Sequence, residues 1–439
     1  MRRLLRVLVP ASVAAVLLAL PLAASAGHEN DPRTDNLQPR GHIFEPASLL
    51  NPAIGNPNVH TDIAFWGKWA IQGNWNGFNI RDISDPREPE QVSFTLCQGD
   101  QGDVAVWKNL VIRSTNSPNP GNRTCDGLPV PAGYEGLDIF DISDKSDPEW
   151  LTRVPLACGS HTLTAVPDRR NDRLLIYSSS SAHSDTNPNP PATCDFIDIV
   201  DIPLDRPEEA ELLRTEPSDH TCHDIGVILG KVRKAACAGG EGVRVFSLGG
   251  RDGGSLDNPR LLYHIEEPGV TIGHSAAWTW DGEIIIFGHE PGGGVAPECE
   301  ASDDPLNYTY FFYDSGDGEK IGSWTLPRPQ SAGENCTLHN LNVVPLKNRY
   351  VLVHGSYQSG TSVVDFTDPD DAEEIAWSDP PPIVPTDLGG AWSSYWYNGL
   401  IYETNITEGL NIFKLDSRKV KGAKKLGHLN PQTQEFSLR

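Results

Sequence analysis

The sequence predicts an all-β protein, a seven-bladed β-propeller whose blades are four-stranded antiparallel sheets. An apolar strand that runs into an acidic turn recurs at intervals of roughly 50 residues, a spacing typical of propellers and solenoids. Each copy follows two short apolar runs, and most copies precede a fourth, so the repeat has four strands. With 41 Gly and 36 Pro in 439 residues, the composition favours turns over long helices.

The strand-and-turn element occurs seven times. Four copies are clear: GFNIRDISDP at 77–86, GLDIFDISDK at 136–145, FIDIVDIPL at 196–204 and TSVVDFTDP at 361–369. Weaker copies begin at residues 242, 308 and 409. The Asp-Ile-Ser-Asp turns are typical Asx-turn starters, with calcium binding as the alternative. We therefore assign 58–439 to one propeller domain.

The N-terminal segment has the pattern of a secretory signal peptide. Three arginines precede an apolar stretch that ends in Ala24-Ser25-Ala26, a small-residue cleavage site. We expect residues 1–26 to be a bacterial export signal, with an uncleaved anchor as the alternative, and no transmembrane span after it. Residues 27–57, rich in Pro, Asn and Asp, form a partly disordered extension in this prediction.

The charge balance excludes two classes of partner. The formal net charge is −24, and removal of the signal would take away three of the 35 basic residues. Such an acidic surface repels nucleic acid and anionic membranes. We expect a monomeric protein outside the cell whose partner is a protein or a small ligand.

Eight cysteines predict an oxidising compartment. Six of them repeat one placement, before an inner strand and in the loop between the second and third strands, which in a propeller meet on one side. The predicted disulfides are 97–125, 158–194, 222–237 and 299–336, formed by Cys97, Cys125, Cys158, Cys194, Cys222, Cys237, Cys299 and Cys336. A thiolate metal site is the alternative, although no Cys-x-x-Cys spacing occurs.

Four histidines occupy the same position of the repeat, at the start of an innermost strand. They are His161, His223, His274 and His339. Because innermost strands line the central channel, these side chains are expected at its mouth. The first two repeats have Asp62 and Asp103 at this position, and the seventh offers Trp392.

This histidine column has two interpretations. Imidazoles at a channel mouth suit a transition metal ion such as Zn, Cu, Fe or Ni, which would permit metal-assisted hydrolysis or oxidation. Alternatively, each side chain hydrogen-bonds the backbone at a strand entry and recurs because the blade recurs. Loops expected on the same side add three weaker candidate ligands, Glu241, His289 and Glu290.

The units FNIRDISDP, LDIFDISDK and IDIVDIP resemble the LVIVD repeat, and the segment beginning NVHTDIAFWGKWAIQG resembles the first unit of secreted bacterial LVIVD-repeat proteins. The resemblance implies an exported seven-bladed propeller and no common activity. The chain is also distantly similar to the propeller of selenium-binding proteins, which include copper-dependent methanethiol oxidases. Their His-x-Asp and Cys-x-x-Cys motifs are missing from this sequence, so no oxidase role is transferred to any residue.

The leading functional prediction is a noncatalytic extracellular binding or scaffold module that acts through a disulfide-braced, histidine-lined surface. The alternative is a metal-dependent enzyme that uses the histidine column. Two segments compete to supply the outer strand of the last blade: the basic stretch 419–425 with the Leu-Gly-His-Leu that follows it, or the region of residues 42–50 crossing back from the N-terminus.

Overall fold

A computed structural model describes residues 27–45, 59–180, 194–294, 296–383 and 388–438. The expected signal segment, 1–26, lies outside the described residues, as do residues 46–57 of the expected extension. In the described chain, seven sheets of antiparallel blade strands are arranged around a central channel, and a small two-stranded sheet, Thr124–Cys125 with Leu128–Pro129, lies outside the blades. The first strand of each sheet packs beside the first strands of its two neighbours, so these strands form the innermost ring. The predicted all-β, seven-bladed propeller is confirmed.

Each blade contributes four strands, which are named in order from the channel outwards. Blade 1 contains His60–Trp66, Trp69–Asn74, Gly77–Asp82 and Glu90–Leu96. Blade 2 contains Val104–Trp107, Leu110–Thr115, Gly136–Asp141 and Glu149–Pro155. Blade 3 contains Thr162–Asp168, Arg173–Ser179, Phe196–Pro203 and Glu211–Pro217. Blade 4 contains Ile225–Ile228, Lys234–Gly239, Gly242–Ser247 and Arg260–Glu266.

The remaining blades follow the same plan, except that the last takes its outer strand from the N-terminal part of the chain. Blade 5 contains Gly273–Trp278, Ile284–His289, Thr309–Asp314 and Lys320–Thr325. Blade 6 contains Leu341–Val343, Val351–Gly355, Thr361–Asp365 and Glu373–Ser378. Blade 7 contains Ala391–Tyr397, Leu400–Asn405, Gly409–Leu415 and Leu37–Phe44. Within the described residues the helical segments are short 3-10 turns.

Apolar side chains of neighbouring blades pack into shared clusters that hold the ring together. One cluster joins the sheets of blades 2 and 3, another those of blades 3 and 4, and a third those of blades 4 and 5. In every blade the pairing of the third strand with the outer strand shifts register once, a β-bulge that increases the local twist. Buried apolar area between twisted sheets is therefore the main source of stability.

The ring closes through the N-terminal part of the chain. Leu37–Phe44 pairs antiparallel with Gly409–Leu415, so it is the outer strand of blade 7. Of the two competing segments, the N-terminal one therefore completes the blade. The segment 27–57, which the sequence analysis separates from the propeller, contains this strand, and its Leu37 is fully buried against blade 7. The propeller therefore includes residues before 58. Residues 27–45 belong to the folded structure.

The C-terminal segment closes one end of the central channel. His428–Leu429 pairs with the end of the inner strand of blade 1, and Thr433–Gln434 runs parallel to Val227 and Ile228 of blade 4. Asn430 forms two hydrogen bonds with the backbone of Val106 in blade 2. Of the two alternatives, the C-terminal one is therefore not realised, because His428–Leu429 and Thr433–Gln434 lie against inner strands, at the end where those strands stop.

The disulfides and the acidic turns match the sequence analysis. All four predicted disulfides are present, and the described chain has no free cysteine. The carboxylate of Asp82 accepts a hydrogen bond from the backbone of Ser84 at 2.9 Å, and that of Asp141 from Ser143 at 2.5 Å. These contacts are Asx turns.

Within the described residues no helix has the length and apolar character needed to cross a bilayer.

Candidate functional site

Four imidazoles from four consecutive blades stand side by side at the channel end opposite the C-terminal segment. The ring centroids of His161 and His223 are 4.4 Å apart, those of His223 and His274 4.0 Å, and those of His274 and His339 4.4 Å. We call this row the histidine arc. His223, His274 and His339 are buried, whereas His161 is partly exposed. The arc therefore reaches solvent on the side of blade 3.

Main-chain hydrogen bonds at the start of the inner strands fix the backbone of the arc. The amide of His161 donates to Ser179 at 2.7 Å, that of His223 to Ala238 at 2.6 Å and that of His339 to Gly355. In each case the acceptor lies at or next to the end of the second strand of the same blade. These bonds are made by the main chain, so they leave the imidazole nitrogens available for other partners. The repeat explains where the histidines lie and does not explain why they are histidines.

Glu290 brings a carboxylate to the arc. It follows the second strand of blade 5, so it emerges at the same end of the channel as the inner-strand starts. Its Oε2 atom lies 3.6 Å from Nε2 of His274, and its Oε1 atom lies 3.5 Å from Nε2 of His339. Tyr357 donates its hydroxyl hydrogen to Oε1 at 2.5 Å. The carboxylate is thus held between two imidazoles.

Hydrogen bonds on the far side of two rings determine their tautomers. Nδ1 of His339 contacts the carbonyl oxygen of Trp392, and only a protonated nitrogen can hydrogen-bond a carbonyl. Nδ1 of His274 lies 2.6 Å from the hydroxyl of Ser275, whose own hydrogen is donated to the carbonyl of His339. Ser275 therefore accepts from Nδ1. In their neutral forms both rings carry a lone pair on Nε2, and both lone pairs face Glu290.

Burying these hydrogen-bond acceptors next to one another costs free energy unless a proton or a cation lies between them. Burial lowers the pKa of His223 and of His339 to about 3 and moves that of His274 well below its ordinary value. Burial raises the pKa of Glu290 to about 8. Nδ1 of His223 and Nε2 of His274 have no hydrogen-bond partner although both atoms are buried. A buried polar atom without a partner costs about 1–3 kcal/mol, so a bound cation would remove a real penalty.

The donor set fits a divalent transition metal ion. His223, His274 and Glu290 each offer one ligand atom, and these three atoms lie within 4.8 Å of one another. A tetrahedral ion with bonds of about 2.0–2.1 Å holds its ligand atoms roughly 3.3 Å apart. The 3.5 and 3.6 Å separations between Glu290 and the two Nε2 atoms are close to that spacing. Nδ1–H groups bonded to backbone or hydroxyl oxygen are the usual outer support of metal-bound histidine.

The carboxylates of Asp62 and Asp103 accept hydrogen bonds from groups of the inner strands instead of joining the arc. Oδ1 of Asp62 accepts from the amide of Ile63 at 2.8 Å, and its Oδ2 accepts from Tyr395 at 2.9 Å. Oδ2 of Asp103 accepts from the amide of Leu163 in the next blade at 2.7 Å. For these two blades the backbone-capping interpretation describes what the side chains do.

Two of the weaker candidate ligands lie outside the cluster. Glu241 is exposed on the turn after the second strand of blade 4. His289 is the last residue of the strand that Glu290 follows. Its Nε2 atom accepts from the backbone amide of Thr271 at 3.4 Å. Of the three weaker candidates, only Glu290 contacts the arc.

Sequence reasoning missed the residue that orients His274. Ser275 is the next residue in the motif Gly-His-Ser, and its hydroxyl links His274 to the backbone of blade 6. A serine directly after the histidine of the column is a signal that could have been found in the sequence. Tyr310 donates to the same carbonyl of His339 at 2.8 Å, a contact that no local pattern reveals.

Cys97, Cys125 and Asp138 form a second group with metal-ligand spacing among the described residues. Both sulfur atoms belong to one disulfide, so they offer no thiolate. The group carries no metal site.

Comparison with known proteins supports the repeat and the fold. A family model described as the LVIVD repeat matches residues 60–94 and 132–154, which lie in blades 1 and 2. The WD40 β-propeller domain of Doa1 is similar in structure, with a TM-score of 0.52 and 9% identity, over 88% of this chain and 99% of that chain. A chain of the mitotic checkpoint complex has a TM-score of 0.50 and 11% identity, over 91% of this chain and 100% of that chain. No curated protein matches this sequence. Identities this low show the fold alone.

Proposed function

We propose that this protein is an exported LVIVD-type binding module that holds a divalent transition metal ion at the histidine arc. A β-propeller with four disulfides has the architecture of a binding or scaffold module. The disulfides support an oxidising compartment, and the N-terminal pattern supports bacterial export to reach it. The metal gives the module a defined chemical ligand.

One observation carries the metal proposal. The Nε2 lone pairs of His274 and His339 both face the carboxylate of Glu290, and the tautomer of each ring is fixed from its far side. Each lone pair repels the negatively charged carboxylate oxygen beside it unless a proton or a cation lies between them. Imidazole and carboxylate groups are common ligands of transition metal ions, and His223 is placed to add a further imidazole.

The ligand set indicates the class of metal. It has nitrogen and oxygen donors and no thiolate, which favours Zn²⁺, Fe²⁺, Ni²⁺ or Cu²⁺ over Cu⁺ or an iron–sulfur cluster. A Ca²⁺ or Mg²⁺ ion would be served poorly, since both prefer oxygen ligands.

A metal-dependent enzyme is the second candidate. The partly exposed His161 lies next to His223 at the open end of the arc, where water or a substrate could reach a coordination position not filled by protein. Hydrolysis at that position would need no residue beyond the cluster to activate a bound water.

The test is elemental analysis of purified protein, before and after incubation with each of the four ions and desalting. We expect about one equivalent of a single metal in the wild type. Glu290→Gln keeps the shape of the side chain and removes its charge, and His274→Gln removes a ligand; both variants should lose the metal. His289→Gln is the matched control, because it changes the neighbouring buried histidine outside the cluster.

Retention of the metal by both ligand variants, or failure of all four ions to bind the wild type, contradicts the proposal and leaves the scaffold interpretation. Metal binding also raises the melting temperature in proportion to the logarithm of the ion concentration above Kd. That shift should be present in the wild type and in the His289 variant, and absent when Glu290 or His274 is replaced.

A further inference from the structure

We propose that the other end of the channel carries a second binding site, for a small organic anion with an apolar body. A cavity of about 210 Å³ lies there between the ends of inner strands and the C-terminal segment. Ligand pockets for drug-sized molecules occupy roughly 300–1,000 Å³, so the occupant of this cavity is smaller. We call it the tail-side cavity.

Apolar and aromatic side chains form its walls. Trp280 and Phe436 stand with their ring centroids 5.0 Å apart, and Ala165, Pro167 and Leu429 complete the apolar lining. The indole nitrogen of Trp280 donates to the carbonyl of Val343, so the polar edge of this ring is already satisfied. These walls offer contact to an aromatic or aliphatic body and few hydrogen bonds.

Cationic side chains stand at the rim. Arg169, Lys424 and Lys425 all line the cavity. The carboxylate of Glu435 is the acidic group among the lining residues, and it is already engaged by Arg169 at 2.5 Å and by His428. Nζ of Lys424 lies 3.7 Å from the centroid of the Phe436 ring.

The two lysines are therefore the groups available to an incoming anion. In the part of the chain that the structure describes, the ion pairs of the cavity involve Arg169 and His428 and leave out Lys424 and Lys425. Both lysines are exposed. A carboxylate or sulfonate bound there would form charge-assisted hydrogen bonds with the ammonium groups.

This rim carries positive charge, although the protein as a whole is acidic. The chain has a formal net charge of −24, so a large polyanion would be repelled by the surrounding surface. At physiological salt, charges more than about 8 Å away are largely screened, so a small monoanion at the rim interacts mainly with the groups of the rim itself. The apolar walls then select for an organic anion over chloride or phosphate.

The site is independent of the metal proposal, because it lies at the opposite end of the channel. Gln434 of the C-terminal segment donates to the carbonyl of Trp278, the last residue of the inner strand of blade 5. His274 of the histidine arc lies at the start of the same strand.

The test is binding of indole-3-acetate to the full chain, followed by calorimetry and by displacement of the fluorescent probe 8-anilinonaphthalene-1-sulfonate. Indole-3-acetamide, which has the same shape and no charge, is the ligand control. We expect saturable binding of the acetate at one site, at least fivefold weaker binding of the acetamide, and an affinity that falls as salt rises.

Two kinds of variant locate the site. The double variant Lys424→Gln and Lys425→Gln should weaken acetate binding at least tenfold, whereas Lys421→Gln, an exposed lysine just before them, should change it less than twofold. Gly427→Trp should block the cavity, because Gly427 lines it and a Cβ added there meets no atom within 4 Å.

The proposal is overturned if the folded wild type shows no saturable acetate binding, if acetate and acetamide bind equally, or if the double lysine variant and Gly427→Trp bind as the wild type does. Unchanged melting temperatures of the variants ensure that a loss of binding reports on the site.

Discussion

The C-terminal segment is expected to stabilise the ring through one asparagine. Nδ2 of Asn430 donates to the carbonyl of Val106 at 2.9 Å, and its Oδ1 accepts from the amide of Val106 at 2.8 Å. Asn342 uses the same pair of bonds to tie blade 6 to Trp396 of blade 7. Asn430 therefore acts on blade 2 as a residue of a neighbouring inner strand would.

Replacing Asn430 by Ala leaves both backbone groups of Val106 buried without a partner. Each unsatisfied group costs about 1–3 kcal/mol, so the free energy of unfolding should fall by roughly 2–6 kcal/mol. With an unfolding entropy of about 2.1 cal/mol/K per residue, a chain of this size should lose roughly 2–6 °C in Tm.

Urea unfolding monitored by tryptophan fluorescence measures the change, with calorimetry for Tm. Lys425→Ala is the control in the same segment, since an exposed lysine should alter stability by less than about 0.5 kcal/mol. If Asn430→Ala is as stable as this control, the segment does not brace the channel in solution and the reasoning is refuted.

Three further outcomes follow from the structure. Replacing Cys222 and Cys237 by Ser should lower the free energy of unfolding by about 3 kcal/mol, the value expected for a disulfide that closes a loop of 15 residues. The same change should weaken metal retention, because it frees the chain next to the histidine arc. Chemical unfolding and elemental analysis would show neither change if the disulfide were not formed. Burial, aided by the charges of the carboxylates of Glu403 and Asp31, raises the pKa of Glu408 from 4.5 to about 7. The folded state therefore favours the protonated form, and the free energy of unfolding should fall as pH rises from about 4.5 to 7. Unfolding curves of Glu408→Gln should lack this component of the fall, and an identical pH profile in wild type and variant would refute the assignment. Tyr357→Phe removes the hydrogen bond to Glu290 and should weaken metal binding by roughly 10-fold or more. Competition with a chelator measures this affinity. An unchanged affinity would show that Tyr357 does not support the carboxylate.

The blades were predictable because their information is local. A run such as Gly77–Asp82 carries its own strand pattern and its own turn, and the repeat multiplies that signal seven times. The closing strand Leu37–Phe44 was harder to place, because it includes a proline and a glycine and its pairing partner lies more than 360 residues away in the chain. Nothing in a local pattern encodes such a distant pairing.

The candidate site, like the fold, was predictable only where its information is local. The repeat gave the positions of the four histidines, and blade geometry implied that they stand together. Which of the adjacent residues His289 and Glu290 joins them is not a local property, because it depends on how the chain leaves the second strand of blade 5. The role of the C-terminal segment was likewise hidden, because its short strands pair with inner strands of blades 1 and 4.

Anomalous X-ray diffraction from a metal-loaded crystal, recorded above and below the absorption edge of the bound element, tests the central claim most directly. The account predicts one strong anomalous peak at bonding distance, about 2.0–2.2 Å, from Nε2 of His274 and from the carboxylate of Glu290. His339 and His223 should complete or closely flank the coordination. A metal peak elsewhere on the protein, or an arc that stays free of metal in a crystal soaked with all four ions in turn, would contradict it.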